Sequence, residues 1–341
     1  MINIAILGFG TIGSGVAEVV EKNQAEIQKI LGGETLHVKY ILDIRDIPGA
    51  LKDIETIIND PDIKVVCETM GGKEPAYTYT HLALERGISV CSSNKELVDA
   101  HGVELSAIAQ SHHCSYLFEA SVGGGIPLLR TIREACGHEK ISKIAGILNG
   151  TCNYILTNMK DGKDFDSALK EAQEKGYAER NPAADVEGHD TARKIAILAS
   201  LISGKKISYE QVDCEGITGV TAEDFVNADA YGMSVKRLGV YDAGADTVLV
   251  APHLVPKDNA LYNVNGVFNG VMLKGNMVDD LLFYGRGAGK LPTASAVVSD
   301  VIECIKNIGK NIDNCFADLE PGTINRAPEK NPEQKFRTLS W

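Results

Sequence analysis

Between Gly176 and Leu198 the chain reads GYAERNPAADVEGHDTARKIAIL, and four of its side chains can do acid–base work: Glu179, Asp185, Asp190 and Lys194. The last two are four residues apart, so on a helix they share a face. Pro182 forbids an uninterrupted helix across the loop, whereas Ile195, Ala196 and Leu198 supply a buried stripe beyond it, so the helix is expected to begin near Gly188. Three carboxylates and one ammonium then converge on the mouth of one helix. An Asp four residues before a Lys also describes an ordinary surface ion pair worth a few tenths of a kcal/mol. Against that, the loop adds two further acids, and carboxylates pooled beside one lysine suit a site that grips an ammonium-bearing substrate while the lysine moves a proton. Such chemistry needs a cofactor from elsewhere in the chain.

The N-terminus offers one. Met1 to Leu7 is an apolar, β-branched run that ends in Gly8-Phe9-Gly10-Thr11-Ile12-Gly13, after which Val16, Val19, Val20 and Ile27 mark a helix reaching about Leu31. Strand, glycine turn and helix in that order place a dinucleotide pyrophosphate on a helix N-terminus, the alternative being a glycine turn without a ligand. A second strand, His37 to Leu42, runs into Asp43-Ile44-Arg45-Asp46. An acid here suits the ribose hydroxyl of NAD and an arginine the 2′-phosphate of NADP, so both coenzymes stay open. Ile63 to Cys67 and Ile88 to Cys91 read as further strands, the latter ending in Ser92-Ser93-Asn94-Lys95. Lys95 at a strand end either bonds ribose or substrate or is a solvated loop lysine. A strand from Tyr116 to Glu119 leads into Val122-Gly123-Gly124-Gly125-Ile126, where glycines let carbonyls turn inward beside Glu119. That arrangement fits either an all-oxygen cage for a hard cation or a tight hinge.

Ile141 to Leu148 is a strand followed by the polar cluster Asn149-Gly150-Thr151-Cys152-Asn153, and a helix over Phe165 to Lys175 delivers the chain to the acidic loop. Gln211 to Gly219 and Asp246 to Val255 read as strands, and Val264-Asn265-Gly266-Val267 carries a hairpin signal. Gly285-Arg286-Gly287-Ala288-Gly289 opens an Ala/Val-rich helix through Ile305, expected to return to the first domain. The fold class is therefore α/β: an N-terminal Rossmann-type, doubly wound parallel sheet and a second α+β domain for substrate and dimerisation. The expected divisions are 1–127 for the dinucleotide, with the helix of about 287–310 packing back on it, 128–286 for substrate, and a polar surface tail over 311–341.

Composition excludes other classes. With 44% hydrophobic and 23% charged residues among 341, the chain is neither disordered nor membrane-embedded, and a net charge of −12 without a basic tract argues against nucleic acid. The eight cysteines show neither a CxxC pair nor zinc spacing, and a strand pattern opens the sequence, so no leader and free thiols in the cytoplasm are expected.

Taken together, GFGTIG, SSNK, EASVGGGIP, LNGTCNYIL, GYAE with GHDTARK, and YGRGAGKLPTASAV resemble homoserine dehydrogenase from Met1 to about Ile305. The resemblance implies NAD(P)-dependent interconversion of L-homoserine and L-aspartate 4-semialdehyde, on the route to threonine, methionine and isoleucine. It casts Lys194 and Asp190 as the catalytic pair, Glu179 and Asp185 as homoserine ligands, and Lys95 as a neighbour of both nicotinamide and substrate. Gly8, Gly10, Thr11, Ile12, Gly13, Arg45, Ser92 and Gly287 are assigned to the coenzyme, and Arg45-Asp46 tilts the choice towards NADP. Glu119 with the carbonyls of Val122, Gly124 and Ile126 matches a sodium site, and a homodimer is implied. Two rival readings are a phosphorylating semialdehyde dehydrogenase with Cys152 as nucleophile and a dinucleotide sensor without chemistry. The chain departs from the family pattern in having Asn181 before Pro182 instead of aspartate, and in having about 36 residues after Ile305 where many relatives carry a regulatory ACT domain. Millimolar threonine is accordingly expected to leave the initial rate unchanged, and a halved rate would contradict this.

Overall fold

The computed structural model describes residues 1–330 and 334–341, so Pro332 of the expected tail lies outside the described residues. These residues form two compact units: Met1–Arg133 with Ala288–Glu320, and Glu134–Gly287 with Pro321–Trp341. Among the described residues no helix is long and apolar enough to cross a membrane.

In the first unit β1 (Ile2–Leu7), β2 (Leu36–Leu42), β3 (Ile63–Glu68), β4 (Ser89–Ser92) and β5 (Tyr116–Leu117) form a parallel sheet in the order β2-β1-β3-β4-β5. The inner strands β1 and β3 are buried over Ile4–Leu7 and Val65–Glu68 because both faces are covered there. Val16 and Val20 of the helix Thr11–Lys22 pack with Ala294, Val297 and Val301 of the helix Lys290–Lys306 against Ile4, Ile6, Val65 and Cys67. Each such large side chain contributes about 1.5–3 kcal/mol by leaving water, which is why the last helix returns to the first sheet. Two expectations are corrected. The first helix breaks at Asn23 into Thr11–Lys22 and Gln24–Ile30. The fifth strand is only two residues long, and Glu119 begins a 3₁₀ turn, Glu119–Ser121.

The second unit contains β6 (Lys143–Ile147), the short β7 (Lys205–Lys206) and β8 (Asp213–Cys214), and then β9 (Met233–Asp242), β10 (Thr247–Pro256), β11 (Phe268–Lys274) and β12 (Asp280–Arg286). Its main sheet runs β12-β11-β6-β9-β10, and β10 is flanked by β8 and the Arg337–Thr338 segment. Pairing is antiparallel from β12 to β10. The 211–219 region is a 3₁₀ turn and a two-residue strand, and the true hairpins join β9 to β10 and β11 to β12. Val264–Val267 joins two strands that are not neighbours, because β9 and β6 lie between β10 and β11.

Boundaries also differ from those drawn on the sequence. Residues 128–133 stay with the first unit because Arg130 pairs with Asp300 and Arg133 with Glu303 of the returning helix. The tail is not a surface appendage: Phe316 is buried edge-on to Phe118 in the first unit, while Phe336 and Leu339 are buried in the second. With Leu319, also buried in the first unit, four apolar side chains anchor an otherwise polar stretch.

The helix His189–Ser203 lies across β9 at Gly239, where an added Cβ would come within 3.1 Å of Ile195 Cβ and 3.2 Å of Thr191 Cγ2. On β9, Lys236 is 2% exposed, its amine donating to the Val264 carbonyl at 2.6 Å and Asn265 Oδ1 at 2.7 Å. Burial, reinforced by Lys160, pushes its pKa down from 10.5 to about 7. The unfolded chain therefore holds a proton that the folded chain releases between those values, so this residue makes stability rise with pH across that window. Lys236→Met is expected to gain stability relative to the parent near pH 7 in urea unfolding, and the gain should shrink by about pH 9.5.

Candidate functional site

Asp190 and Lys194 stand one turn apart on the helix His189–Ser203, 8% and 9% exposed, with Nζ donating to Asp190 Oδ2 at 2.8 Å. A surface ion pair would be wet; this one is buried at the helix start. Nζ also donates to the carbonyl of Leu148 at 2.9 Å, at the end of β6. Asn149, the next residue, donates from Nδ2 to Asp190 Oδ2 at 2.8 Å and to Asp185 Oδ1 at 2.7 Å. Its Oδ1 caps the helix Gly150–Lys160 through the Cys152 amide at 2.8 Å. Burial first, and then the charge of Asp190, push the Asp185 carboxyl above its ordinary range. The result is two acids and an ammonium held by one carboxamide.

Arg237, buried on β9, donates to the Asp185 carbonyl and to Thr191 Oγ1 at 2.9 Å, fixing the loop before the helix to the sheet. The sequence reading missed Arg237 because it missed β9, and it placed Asn149 in a polar cluster without a role. A signal for Asn149 existed, since asparagine directly after a strand and before a helix is an N-cap pattern. Glu179 is exposed on the loop before the short helix Ala183–Val186, and its carboxylate takes no part in this network. Cys152 is buried, and burial pushes its thiol up to about 12. Such a thiol is not poised as a nucleophile, which removes the acyl-enzyme rival.

In the first unit the helix Thr11–Lys22 starts at Gly10 without a side-chain cap, leaving its first amides for an anion. An added Cβ on Gly13 would fall 2.0 Å from the Gly8 carbonyl oxygen, so only glycine permits this turn. A cavity of about 320 Å³ lies beside it, lined by Gly8, Gly10, Asp43, Arg45, Thr69 and Met70. Asp43 accepts the Phe9 amide at 2.7 Å and the Arg45 guanidinium at 2.8 and 2.9 Å, which holds its carboxyl well below the usual range. The arginine remains 58% exposed at the cavity rim while the acid is spoken for. These features fit a dinucleotide. Thr11 is exposed and Ile12 half-buried on the first turn of the helix. Ser92 is buried with its hydroxyl turned onto Glu68, 2.6 Å away, and Lys95 is the first residue of the helix Lys95–Ser111. Gly287 belongs to the second unit and packs against the Asn269 carboxamide.

Glu119 is buried, and its two carboxyl oxygens accept the amides of Leu129 at 3.0 Å and Arg130 at 2.6 Å. Val122 and Ile126 are buried in the following loop, where Gly123 and Gly124 take positive φ and the Ile126 carbonyl accepts the Leu128 amide at 2.9 Å. Each of these oxygens keeps a lone pair. Around them Glu119, Asp300 and Glu303 meet Arg130 and Arg133, one more carboxylate than guanidinium. Burial pushes Glu119 upward and Asp300 up to about 7.

Comparison with known proteins follows these geometries. Residues 8–119 match the family model for the homoserine dehydrogenase NAD-binding domain, and 127–302 match that for homoserine dehydrogenase. The chain is 43% identical over 326 residues to a homoserine dehydrogenase of Synechocystis, covering 92% of this chain and 75% of the relative. A solved homoserine dehydrogenase from Thiobacillus denitrificans superposes with TM-score 0.89 at 34% identity, covering 96% of this chain and 79% of that one. A hyperthermophilic archaeal homoserine dehydrogenase in complex with NADPH gives 0.76 at 27% identity, with 89% and 97% covered.

Asn149→Ser keeps a capping oxygen and loses the bridging amide. We expect kcat/KM for homoserine oxidation to fall about tenfold or more, and urea unfolding to show a loss of about 1–3 kcal/mol from the two acids left short of a donor.

Proposed function

The chain belongs to the homoserine dehydrogenase family, and from that premise we propose which of its residues perform the family's NAD(P)-dependent interconversion of L-homoserine and L-aspartate 4-semialdehyde. Lys194 is the acid–base group. The nicotinamide coenzyme, when bound, supplies or accepts the hydride. In the reducing direction the aldehyde oxygen gains negative charge, and the Lys194 ammonium donates a proton to it; in the oxidising direction the same amine takes the hydroxyl proton. Asp190 orients the ammonium from one side, and the Leu148 carbonyl fixes its height above the helix. Asp185 and Glu179 are proposed to hold the substrate's ammonium, Asp185 from a fixed position and Glu179 from an exposed loop. The observation that carries this reading is a buried Lys–Asp pair tied by Asn149 to a second acid, an arrangement that stability alone does not account for.

The coenzyme is assigned to the first unit, to the Gly8–Gly13 turn with Thr11 and Ile12, with Ser92 and Lys95 as further contacts. NADP is proposed over NAD because Asp43 is saturated by Phe9 and Arg45 while the Arg45 guanidinium remains open to a phosphate. Glu119 and the carbonyls of Val122, Gly124 and Ile126 are proposed to take sodium, a hard monovalent cation that matches an oxygen-only set. A homodimer is supported by β12, a terminal strand of its sheet that presents Leu282 and Tyr284 to solvent. Eight free cysteines suit the cytoplasm.

Initial rates with homoserine, using NAD and NADP in parallel and exchanging sodium for potassium, test the coenzyme and cation assignments. Positioned acid–base catalysis supplies about 10² to 10⁴ in rate. Lys194→Ala should therefore lose at least about a hundredfold in kcat with coenzyme affinity nearly intact, and a variant within about tenfold of the parent would rule out the role.

A further inference from the structure

Glu68 closes β3, is wholly buried, and is used by no step above. One carboxyl oxygen accepts the Met70 amide at 2.9 Å, the other the Ser92 hydroxyl at 2.6 Å, and its backbone carbonyl takes the Ser93 amide at 3.1 Å. Ser92 Oγ in turn accepts the Asn94 amide at 3.0 Å. Asn94 donates to the Gly72 carbonyl at 2.6 Å and, through Oδ1, caps the helix of Lys95 by way of the Leu97 amide at 3.1 Å. Two loops that follow adjacent parallel strands are thus pinned by one side chain and the cap next to it. The groups facing that carboxyl are the amides of Met70 and Gly71, the Asn94 carboxamide, the Ser92 hydroxyl and the Tyr116 phenol, and burial pushes its pKa up. A glutamine in this place keeps an acceptor oxygen of the same reach, which a leucine lacks.

Strand order says which part of the coenzyme these loops meet. The ribose-reading end of β2 and the pyrophosphate turn after β1 occupy one side of the sheet, so the remainder of the dinucleotide must extend over the ends of β3 and β4. We propose that Glu68 is a positioning residue for the nicotinamide half of the coenzyme: its buried carboxyl sets the Met70–Gly72 turn and the Ser92–Asn94 cap at a fixed separation and thereby sets Lys95. The proposal rests on the dinucleotide lying over the first sheet.

The test is titration of NADPH and, separately, of ADP, which carries only the adenosine end, into the parent, Glu68→Gln and Glu68→Leu, with thermal unfolding alongside. Glu68→Gln is expected to bind NADPH within about threefold of the parent, whereas Glu68→Leu, which offers no acceptor, should weaken NADPH at least about tenfold and leave ADP unchanged. Unchanged NADPH binding in Glu68→Leu, equal weakening of NADPH and ADP, or a glutamine variant as poor as the leucine one overturns the proposal. Should Glu68→Leu fail to fold, Asn94→Ser keeps a capping oxygen and loses the bond to the Gly72 carbonyl alone. It should weaken NADPH about threefold or more with ADP unaffected, and parent-like NADPH binding overturns the proposal. A parent that binds neither ligand would instead sink the placement of the dinucleotide on the first sheet.

Discussion

An ammonium kept out of water governs the second unit. Moving a charge from solvent into protein costs several kcal/mol unless partners replace its hydration, and Lys194 finds them in Asp190 and the Leu148 carbonyl. Those partners come from two elements, so the helix His189–Ser203 and the end of β6 must keep a fixed separation. Gly239 lets the helix approach the sheet closely enough, Arg237 ties the preceding loop to β9, and Asn149 spends its amide on both acids and its oxygen on the next helix. Removing Arg237 or Asn149 would leave a buried polar group without its partner, which is more costly than never having had it, and a side chain at Gly239 would press on Ile195 and Thr191.

The first unit solves a different problem, that of presenting backbone amides to an anion. It does so with glycine geometry at Gly13 and with Asp43, whose carboxylate is taken up by the loop it supports and by Arg45. Specificity at the ribose is then a matter of which of two mutually paired side chains still faces outward. Buried carboxylates recur in this unit at Glu68, Glu119 and Asp300, each met by amides, hydroxyls or guanidinium groups.

Much of this was legible beforehand where the physics is local. A β-branched run, a glycine turn and a helix stripe lie within about 30 residues, and the start of the helix at His189 followed from Pro182 and Gly188. What was hidden depends on distant partners. β9 holds Lys236 and Arg237 at adjacent positions, which breaks both the alternating and the continuous apolar pattern, and only Val264, Asn265, Asp185 and Thr191, far along the chain, make those charges tolerable there. The tail misled for the same reason, since Phe316, Leu319, Phe336 and Leu339 are too sparse to give a period yet all find a core. Glu68 sat in plain view at a strand end, but nothing in its neighbours announced that it would be fully enclosed.

Neither unit is a continuous length of polypeptide: the chain passes from one to the other after Arg133, after Gly287 and after Glu320. During synthesis the apolar side of the N-terminal sheet that Val297 and Val301 cover must therefore wait until some three hundred residues have left the ribosome. The nucleotide half, first to be made, is among the last to be sealed, and a nascent chain halted before Ala288 would expose a sticky face to whatever chaperone or neighbour it meets.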